Sequence, residues 1–402
     1  MARVGINISV SDSVFGGPAE VNANSMLIVG GATAVTGDSA AFSLLTPYLL
    51  TSLDSLKSLG ITAANNPSIY RQVQGFYSPT TGVNNNGTYL WLVGVDKTAT
   101  NIQTALSDGV FQSLVRQTVI NGFQYRPRQV MIAPLEPTTA SPDAIDPTTL
   151  QGWIDELYGE GFSLVAVVGS TLPEIATAEY TTLPDLSTKK AGMVGVCVVS
   201  DEQGKGACVG RVGGWLSSLS VGTSIGDGSL PAFAETMYLT DYKGTAFIST
   251  PVNTLAPATL NALGDKQYIF TRTRAPKNGL WFNDGATAND ATMALSTLEA
   301  ARTIAAMVDD LRSFFTPYLN TRVPVSSNGD IESTYKSVIV GNATAQVITP
   351  YIESGDISDA RISLRALNDD MVGTRTWEVT LEILPAPTLR WVDGFVFYVK
   401  SL

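Results

Sequence analysis

The chain has 402 residues, a formal net charge of −11, only 15% charged residues and no histidine. No three Lys or Arg residues follow one another, so the sequence lacks the concentrated basic face that binding to a nucleic acid backbone requires. The lack of histidine removes the most frequent general base, the most frequent metal ligand and every catalytic triad that contains one.

The first predicted element is a strand over residues 3–11, in which apolar and small polar residues alternate with period 2. Its apolar side consists of Val4, Ile6, Ile8 and Val10. A break at Phe15–Pro18 follows, so the strand belongs either to its own sheet or to that of a neighbouring subunit. The segment lacks the charge and apolar pattern of a secretory signal, and we therefore expect a protein that is made and kept in the cytoplasm.

The region 21–270 alternates short apolar runs with helical patterns, which predicts an α/β fold. We expect strands at 25–31, 89–95, 128–134, 162–170, 191–201 and 243–250. We expect helices at 40–59, 99–121 and 147–161, the first of them ending at Gly60. Continuous apolar runs are typical of strands buried on both faces, so the sheet is predicted to be mostly parallel. Residues 203–232, rich in Gly and Ser, give no clear pattern.

The strongest helical pattern covers residues 290–316, with Asp290 as the expected N-cap and Pro317 at the end. One face is predicted to be apolar and consists of Ile304, Val308, Leu311, Phe315 and Tyr318. The opposite face is predicted to be polar, and it carries Glu299, Arg302, Asp309 and Asp310. The pair Asp309–Asp310 is expected either on a solvated face or in a salt bridge between subunits.

Two strands are predicted near the C-terminus. Residues 376–384 alternate strictly between apolar and polar, and a break at Pro385–Pro387 follows. The last predicted strand, 394–400, is apolar on both faces, with Phe395, Val396, Phe397, Tyr398 and Val399. An exposed strand of this kind would promote aggregation, so it must be covered on both sides. It is therefore either a central strand of its own domain or a strand inserted into another subunit by β-augmentation.

No motif for catalysis or cofactor binding is complete. The loop 29–38 follows a predicted strand and is rich in glycine, but it lacks the Lys-Ser/Thr pair of a phosphate loop. Cys197 and Cys208 are interpreted as core or near-surface thiols, since two cysteines in a chain of this length form no disulfide framework. The aromatic stretch 279–285 is either a ligand loop or a strand that enters an Asp-Gly turn, and we favour the strand.

The stretch Arg274–Gly285, with its Gly-Leu-Trp-Phe-Asn-Asp-Gly motif, and the helix start Leu298–Ile304 resemble the C-terminal core of contractile tail sheath proteins. The motif residues that carry the resemblance are Gly279, Trp281, Phe282, Asn283 and Asp284. The predicted strands 376–384 and 394–400 resemble the C-terminal end of that family, which extends into a neighbouring subunit, and the strand 3–11 resembles the matching N-terminal arm. The resemblance covers mainly residues 270–402, and the opening Pro-Gly-Val-Tyr of many sheaths is missing.

The resemblance implies a structural subunit that polymerises as stacked rings around an inner tube and contracts to drive the tube through a cell envelope. It implies an N-terminal arm at 1–20, an α/β region with an outer domain at 21–270, a sheath core at 271–384 and a C-terminal arm at 385–402. Its expected partners are other copies of the chain, the tube protein, the baseplate and the tail terminator, with no cofactor, nucleic acid or direct membrane contact. The helix that carries Glu299, Arg302, Asp309 and Arg312 would face the tube.

The low content of charged residues has two explanations. The surface is either polar but uncharged, rich in Ser, Thr and Asn, or largely buried between subunits, where interface cores are depleted of charge. Two other kinds of protein also stay open: an α/β enzyme that binds a nucleotide, and another virion protein of the capsid or the tube. A third, a surface adhesin or S-layer protein, should carry a signal peptide. The overall expectation is an α/β fold, α+β over the whole chain, with a mixed sheet core, flanking helices and extended strand arms.

Overall fold

The computed structural model describes residues 25–37, 41–99, 101–120, 126–135, 145–170, 183–243, 246–274 and 277–386. These residues confirm the predicted fold class, because helices flank a mixed central sheet. The two predicted arms lie outside them, apart from Pro385 and Ala386. Among the described residues, no helix combines the length and the apolar character needed to cross a membrane.

In chain order, the strands of this part are β1 (Ser25–Ala32), β2 (Tyr48–Leu50), β3 (Leu90–Asp96), β4 (Gln129–Ala133), β5 (Val165–Gly169), β6 (Val194–Cys197), β7 (Val199–Ser200), β8 (Tyr238–Lys243), β9 (Ala246–Pro251), β10 (Tyr268–Ile269), β11 (Thr271–Arg274), β12 (Lys277–Phe282), β13 (Ile357–Ala366) and β14 (Trp377–Pro385). The helices are α1 (Ser55–Ser58), α2 (Pro67–Tyr77), α3 (Ile102–Ala105), α4 (Asp108–Ile120), α5 (Pro147–Gly159), α6 (Val209–Ser218), α7 (Pro257–Asp265), α8 (Leu298–Phe315), α9 (Ser333–Ala343), α10 (Thr349–Ser354) and α11 (Met371–Thr374). Short 3-10 segments lie at Leu186–Lys189, Val252–Thr254, Thr316–Tyr318 and Leu367–Asp369, and Thr344–Ile348 is π-helical.

The central sheet has the strand order β10-β6-β5-β4-β1-β3-β2. All neighbouring pairs are parallel except β2 with β3 at one edge. The inner strands are buried almost throughout, as their continuous apolar runs predict. Each fully buried Val, Ile or Leu side chain contributes about 1.5–3 kcal/mol to folding. The mostly parallel sheet predicted from sequence is confirmed.

Helix α8 crosses the edge of the sheet at which the parallel strands begin. Its Arg312 hydrogen-bonds Tyr158 O, beyond the middle of α5, and Ser163 Oγ, just before β5. Its Asp309 forms an ion pair with Arg126, shortly before β4. Helices α2 and α6 pack against each other and against β1 and β4. The core therefore extends from the sheet into α8, which belongs to the C-terminal third of the chain.

The predicted helix 40–59 is wrong except in its last turn. Residues 48–50 form the edge strand β2, with Tyr48 opposite Leu92, and only α1 is helical. The cause is Pro47, because a proline disfavours helical backbone at the residue before it. The predicted stop at Gly60 is confirmed by its left-handed φ of 68°.

Two other predictions are corrected. The strand predicted at 191–201 is divided into β6 and β7, which belong to different sheets. The strand predicted at 243–250 is β9, which pairs antiparallel with β8 in a three-stranded sheet with β7 instead of joining the central sheet. The remaining central strand is β10, a two-residue segment too short to predict from its pattern. The helix predicted at 99–121 is found as α3 and α4.

The long helix starts eight residues later than predicted, at Leu298 instead of 290. Its N-cap is Thr297, whose Oγ1 accepts a hydrogen bond from Ala300 N. Asp290 instead accepts hydrogen bonds from Thr292 N and Thr292 Oγ1, and so closes a separate turn. The predicted end of the helix is confirmed, since α8 finishes at Phe315.

Candidate functional site

The edge of the sheet at which the parallel strands end is where an α/β enzyme would bind a nucleotide. Strand β1 lies between β3 and β4, so the strand order changes direction at β1. In many folds of this class, such a point leaves a crevice that binds a ligand. Here Pro134 and Leu135, which directly follow β4, cover that position. A Cβ on Gly30 would lie 2.7 Å from Leu135 N, and one on Gly169 would lie 2.7 Å from Pro134 Cδ. The crevice is therefore filled by the protein itself.

The glycine-rich loop after β1 uses its backbone groups internally. Asn66, which is 1% exposed, accepts a hydrogen bond from Thr33 N at 2.7 Å and donates one to Thr33 O at 3.0 Å. Val35 N donates to Phe42 O at 2.9 Å. A phosphate would need such amides to point into open space. The geometry of residues 29–37 thus supports a closed structural turn.

The motif 279–285 is a strand that leads into a turn, as favoured from the sequence. Trp281 and Phe282 end β12 and are buried, and Trp281 Nε1 donates to Leu230 O at 2.9 Å. Asn283 Oδ1 accepts from Phe270 N at 2.9 Å, which ties the motif to the end of β10. Asp284 Oδ1 accepts from Gly285 N at 2.8 Å. These polar groups stabilise the subunit, because each contact joins the motif to its own chain.

Gly279 has a specific reason to be glycine. Its φ is 124°, a region that favours glycine, and a Cβ there would lie 2.4 Å from Ala232 Cβ. The close approach lets Leu280 O accept a hydrogen bond from Phe233 N at 2.8 Å. The rings of Phe233 and Phe282 then meet edge to face at a centroid distance of 5.2 Å. The motif is therefore part of the packed core of the chain.

A cleft of about 1230 Å³ opens beside this motif. Asn283 and Asp284 line it, together with Arg272 and Arg274 from β11. Arg274 hydrogen-bonds the carbonyl oxygens of Gly226 and Phe282, so it supports the wall of the cleft. The described residues contain no group of three or more Cys, Asp and Glu side chains placed to hold a metal ion.

Three of the four residues on the predicted polar face of α8 are buried, and the expectation of a solvated face is wrong for them. The fourth, Asp310, is half-buried and accepts a hydrogen bond from Tyr351 Oη at 2.5 Å. Glu299, Arg302 and Asp309 are 6%, 5% and 2% exposed. Arg302 donates to Leu216 O at 2.6 Å and to Leu219 O at 3.0 Å, where α6 ends. Burial lowers the pKa of the Arg302 guanidinium to about 10, against the opposite effect of Glu299, so it stays charged at neutral pH.

Asp309 and Arg312 form a second buried cluster on α8. Asp309 lies 2.5 Å from Arg126 Nη2 and 3.6 Å from Arg128 Nε. Arg312 stacks over the Tyr158 ring at 4.6 Å and donates to Tyr158 O at 2.8 Å. Arg302, Asp309 and Arg312 thus make contacts within the chain, and Glu299 is buried beside them in sequence. A contact of these four residues with a tube stays a prediction. The apolar stripe of Ile304, Val308, Leu311 and Phe315 is buried as predicted.

A buried ionic cluster that sequence reasoning missed lies where β7 ends. Asp201 is bound by Arg71 of α2 at 2.7 Å and by Arg211 of α6 at 2.8 Å. Arg211 Nη1 also donates to Glu235 and to Pro79 O. Burial raises the pKa of Asp201, but the two arginines outweigh burial and the resulting pKa lies below its ordinary value. Arg71 lies 130 positions and Arg211 ten positions from Asp201, so no helical or strand period could indicate this cluster.

Strands β13 and β14 form an antiparallel two-stranded ribbon. Among the described strands each pairs only with the other, so each has an open edge. One face packs on α9 and α10 and contains Ile362, Leu364 and Ile383. The other face is exposed and carries a cross-strand pair, Arg365 Nη2 with Glu378 Oε2 at 2.8 Å. A two-stranded ribbon is marginally stable by itself and offers two edges to a further strand.

The candidate arm residues lie outside the described part of the chain. They are Val4, Ile6, Ile8, Val10, Phe395, Val396, Phe397, Tyr398 and Val399. Their role as inter-subunit arms stays a prediction.

Solved structures of the same fold exist. One chain in the six-fold symmetrised baseplate of the anti-feeding prophage matches with 11% identity, a TM-score of 0.57 and full coverage of both chains. A chain in the PVC sheath complex of an extracellular contractile injection system, in the contracted state, matches with 10% identity, a TM-score of 0.56 and coverage of 100% and 98%. A third match, with 13% identity, a TM-score of 0.54 and coverage of 99% and 98%, is in the contracted baseplate of the anti-feeding prophage.

No family model and no curated protein sequence matches the chain. The resemblance to sheath proteins is thus confirmed at the level of the fold, over the whole chain.

Proposed function

We propose that this protein is the sheath subunit of a contractile tail or injection system and that it has a structural, non-enzymatic role. The observation that carries the proposal is the end-to-end likeness to a chain of a sheath complex, since the match covers all of this chain and 98% of that one. A fold shared over one domain alone would leave the other elements unexplained. Here the central sheet, α8 and the β13–β14 ribbon all fall within the match.

The ribbon offers a physical route to polymerisation. Along each strand of the ribbon, side chains point alternately to the buried face and to the polar face. An added strand with apolar residues at every second position would therefore extend both faces. The segment with Val4, Ile6, Ile8 and Val10 has this pattern, and the segment 394–400 is apolar on both sides. Strand addition of about six residues adds backbone hydrogen bonds of roughly 1 kcal/mol each and buries apolar side chains. We propose that terminal arms of neighbouring subunits occupy the ribbon edges.

The proposed mechanism needs no catalytic group. Subunits stack in rings around an inner tube, and contraction moves each body between two discrete packings while the arms keep the mesh connected. The buried clusters at Arg302 and Asp309 fit this idea, because they hold α8 to the sheet and keep the body rigid. The proposed partners are further copies, the tube, the baseplate and the terminator. Assembly takes place in the cytoplasm before the subunit becomes part of a particle.

The division of the chain follows the same proposal. Residues 1–20 and 385–402 act as arms, 21–270 form the α/β region with an outer domain, and 271–384 form the sheath core. Helix α8 joins the last two, because Arg302 and Arg312 bind carbonyl oxygens of α6 and α5. We therefore propose that the core and the sheet move together as one body during contraction.

The leading alternative is an α/β enzyme that binds a nucleotide. The filled crevice at Gly30 and the internal hydrogen bonds of Thr33 count against it, because both would have to be remodelled to admit a phosphate. A capsid or tube protein is disfavoured by the likeness, over the full length, to a chain of a sheath complex.

Deletion of the last predicted strand tests the arm proposal. A variant without residues 394–402 should stay folded, with an unchanged thermal midpoint, but should sediment as a monomer where the full chain forms large polymers. A variant without residues 400–402 is the matched control and should still polymerise. Polymers of normal size from the longer deletion would contradict the role of this arm.

A further inference from the structure

The only two cysteines of the chain lie in adjacent elements of the core. Cys197 is the last residue of β6, and Cys208 is the N-cap residue of α6. Both carry free thiols, and they are 0% and 2% exposed. Of the two expected positions, core or near-surface, both thiols therefore occupy the core.

The two residues converge on one backbone oxygen. Cys197 Sγ lies 3.9 Å from Val199 O, and Cys208 N donates to the same oxygen at 2.8 Å. The neighbouring Cys197 thiol, together with burial, raises the pKa of Cys208 well above its ordinary value. The two residues therefore lie on either side of one backbone oxygen in the core.

The segment between the cysteines, residues 198–207, takes part in the buried ionic cluster around Asp201. Asp201 lies in it and binds Arg71 and Arg211, while Gly206 O accepts a hydrogen bond from Arg71 Nη2 at 3.1 Å. A covalent link between Cys197 and Cys208 would close a short ring around this segment. It would restrain the unfolded chain and hold Asp201 between its two arginines.

We propose that Cys197 and Cys208 are an oxidation site and form an intramolecular disulfide when the protein meets a peroxide. One thiol reacts with hydrogen peroxide to give a sulfenic acid and water, and the second thiol attacks this sulfur and releases another water molecule. Two thiols are thereby oxidised by two electrons and one peroxide is reduced. The proposal is independent of the polymerisation proposed above, and it applies to the isolated subunit.

Burial determines when this step takes place. A thiol with a raised pKa has little thiolate at neutral pH, so the folded protein should stay reduced in a thiol-rich compartment and oxidise slowly outside it. Oxidation should accelerate with rising pH, because the thiolate is the form that reacts. Once formed, the disulfide should resist mild reductants until the protein unfolds, because the bond has no solvent access.

Mass spectrometry of the full chain tests the site. The protein is incubated with and without hydrogen peroxide, and its remaining thiols are then alkylated with iodoacetamide in denaturant. We expect the untreated protein to take up two alkyl groups, and the oxidised protein to take up none and to lose two hydrogens. A peptide pair that links Cys197 to Cys208 should appear after proteolysis. The thermal midpoint of the oxidised form should rise by several degrees.

Single variants identify the cause of that shift. Cys197→Ser and Cys208→Ser should each show no rise of the thermal midpoint after peroxide. Three results would overturn the proposal: two thiols that still alkylate after prolonged oxidation, sulfinic acids formed separately on the two residues, or disulfides that link two chains. If either serine variant fails to fold, the wild-type mass and peptide data decide by themselves.

Discussion

Arg302 Nη2 lies 2.6 Å from the carbonyl oxygen of Leu216, a residue 86 positions earlier in the chain. The guanidinium also binds Leu219 O and Ser220 O, so one buried cation satisfies backbone acceptors at the end of α6. This contact explains how a helix of the C-terminal third is fixed to the α/β part of the subunit.

Replacement of Arg302 should therefore be costly. We expect Arg302→Met to lower the free energy of unfolding by about 3–5 kcal/mol, because it leaves buried carbonyl oxygens unpaired. Arg361→Met, on the exposed face of the ribbon, is the matched control and should change it by less than about 0.5 kcal/mol. Chemical denaturation measures both variants. Equal effects at the two positions would contradict the buried role of Arg302.

The Asp201 cluster predicts a specific acid dependence. The pKa of Asp201 is lower in the folded protein than its unfolded value of about 3.9, so its contribution to stability is present above that value. The contribution is lost as the pH falls through the folded pKa. Wild-type protein should thus lose more stability than Asp201→Asn between about pH 5 and pH 2.

Unfolding in denaturant at a series of pH values checks this prediction. Asp359→Asn, an exposed aspartate of the ribbon, serves as the control and should follow the wild-type acid curve. An Asp201→Asn curve parallel to that of the wild type would show that the two arginines do not stabilise the carboxylate.

Two glycines in helices should respond to alanine in opposite directions. A Cβ on Gly210 of α6 would lie 2.0 Å from Gln72 O of α2, so Gly210→Ala must push the two helices apart and should cost about 3 kcal/mol. Gly152 of α5 has no atom within 4 Å of the added Cβ, and Gly152→Ala should raise stability by about 0.5–1 kcal/mol. Thermal unfolding compares them, and equal shifts would contradict the close contact of α2 with α6.

The buried strands could be predicted from the sequence because their signal is local. β1, β3, β4 and β5 each read as an apolar run, and burial on both faces of a parallel sheet requires such runs. The helix predicted at 40–59 failed because its leucines match a helical period, while Pro47 and pairing with β3 decide its structure. In a segment this short, pairing with a neighbouring strand decides the structure even where the sequence has a helical period.

The polar residues of α8 could not be interpreted from the sequence. Glu299, Arg302 and Asp309 have the spacing of a solvated face, and nothing near them in the chain indicates a partner. Their partners are the end of α6 and the arginines that precede β4, which only the folded chain brings close. For the same reason Asp201 gave no signal, whereas the motif at 279–285 did, because its strand and turn are contiguous.

Electron microscopy of the full-length protein at high concentration tests the central claim most directly. If the protein is a sheath subunit, it should form hollow, striated tubes built from stacked rings. Single folded subunits at every concentration, without rings or tubes, would contradict the account. The α/β enzyme that binds a nucleotide would then be the favoured function.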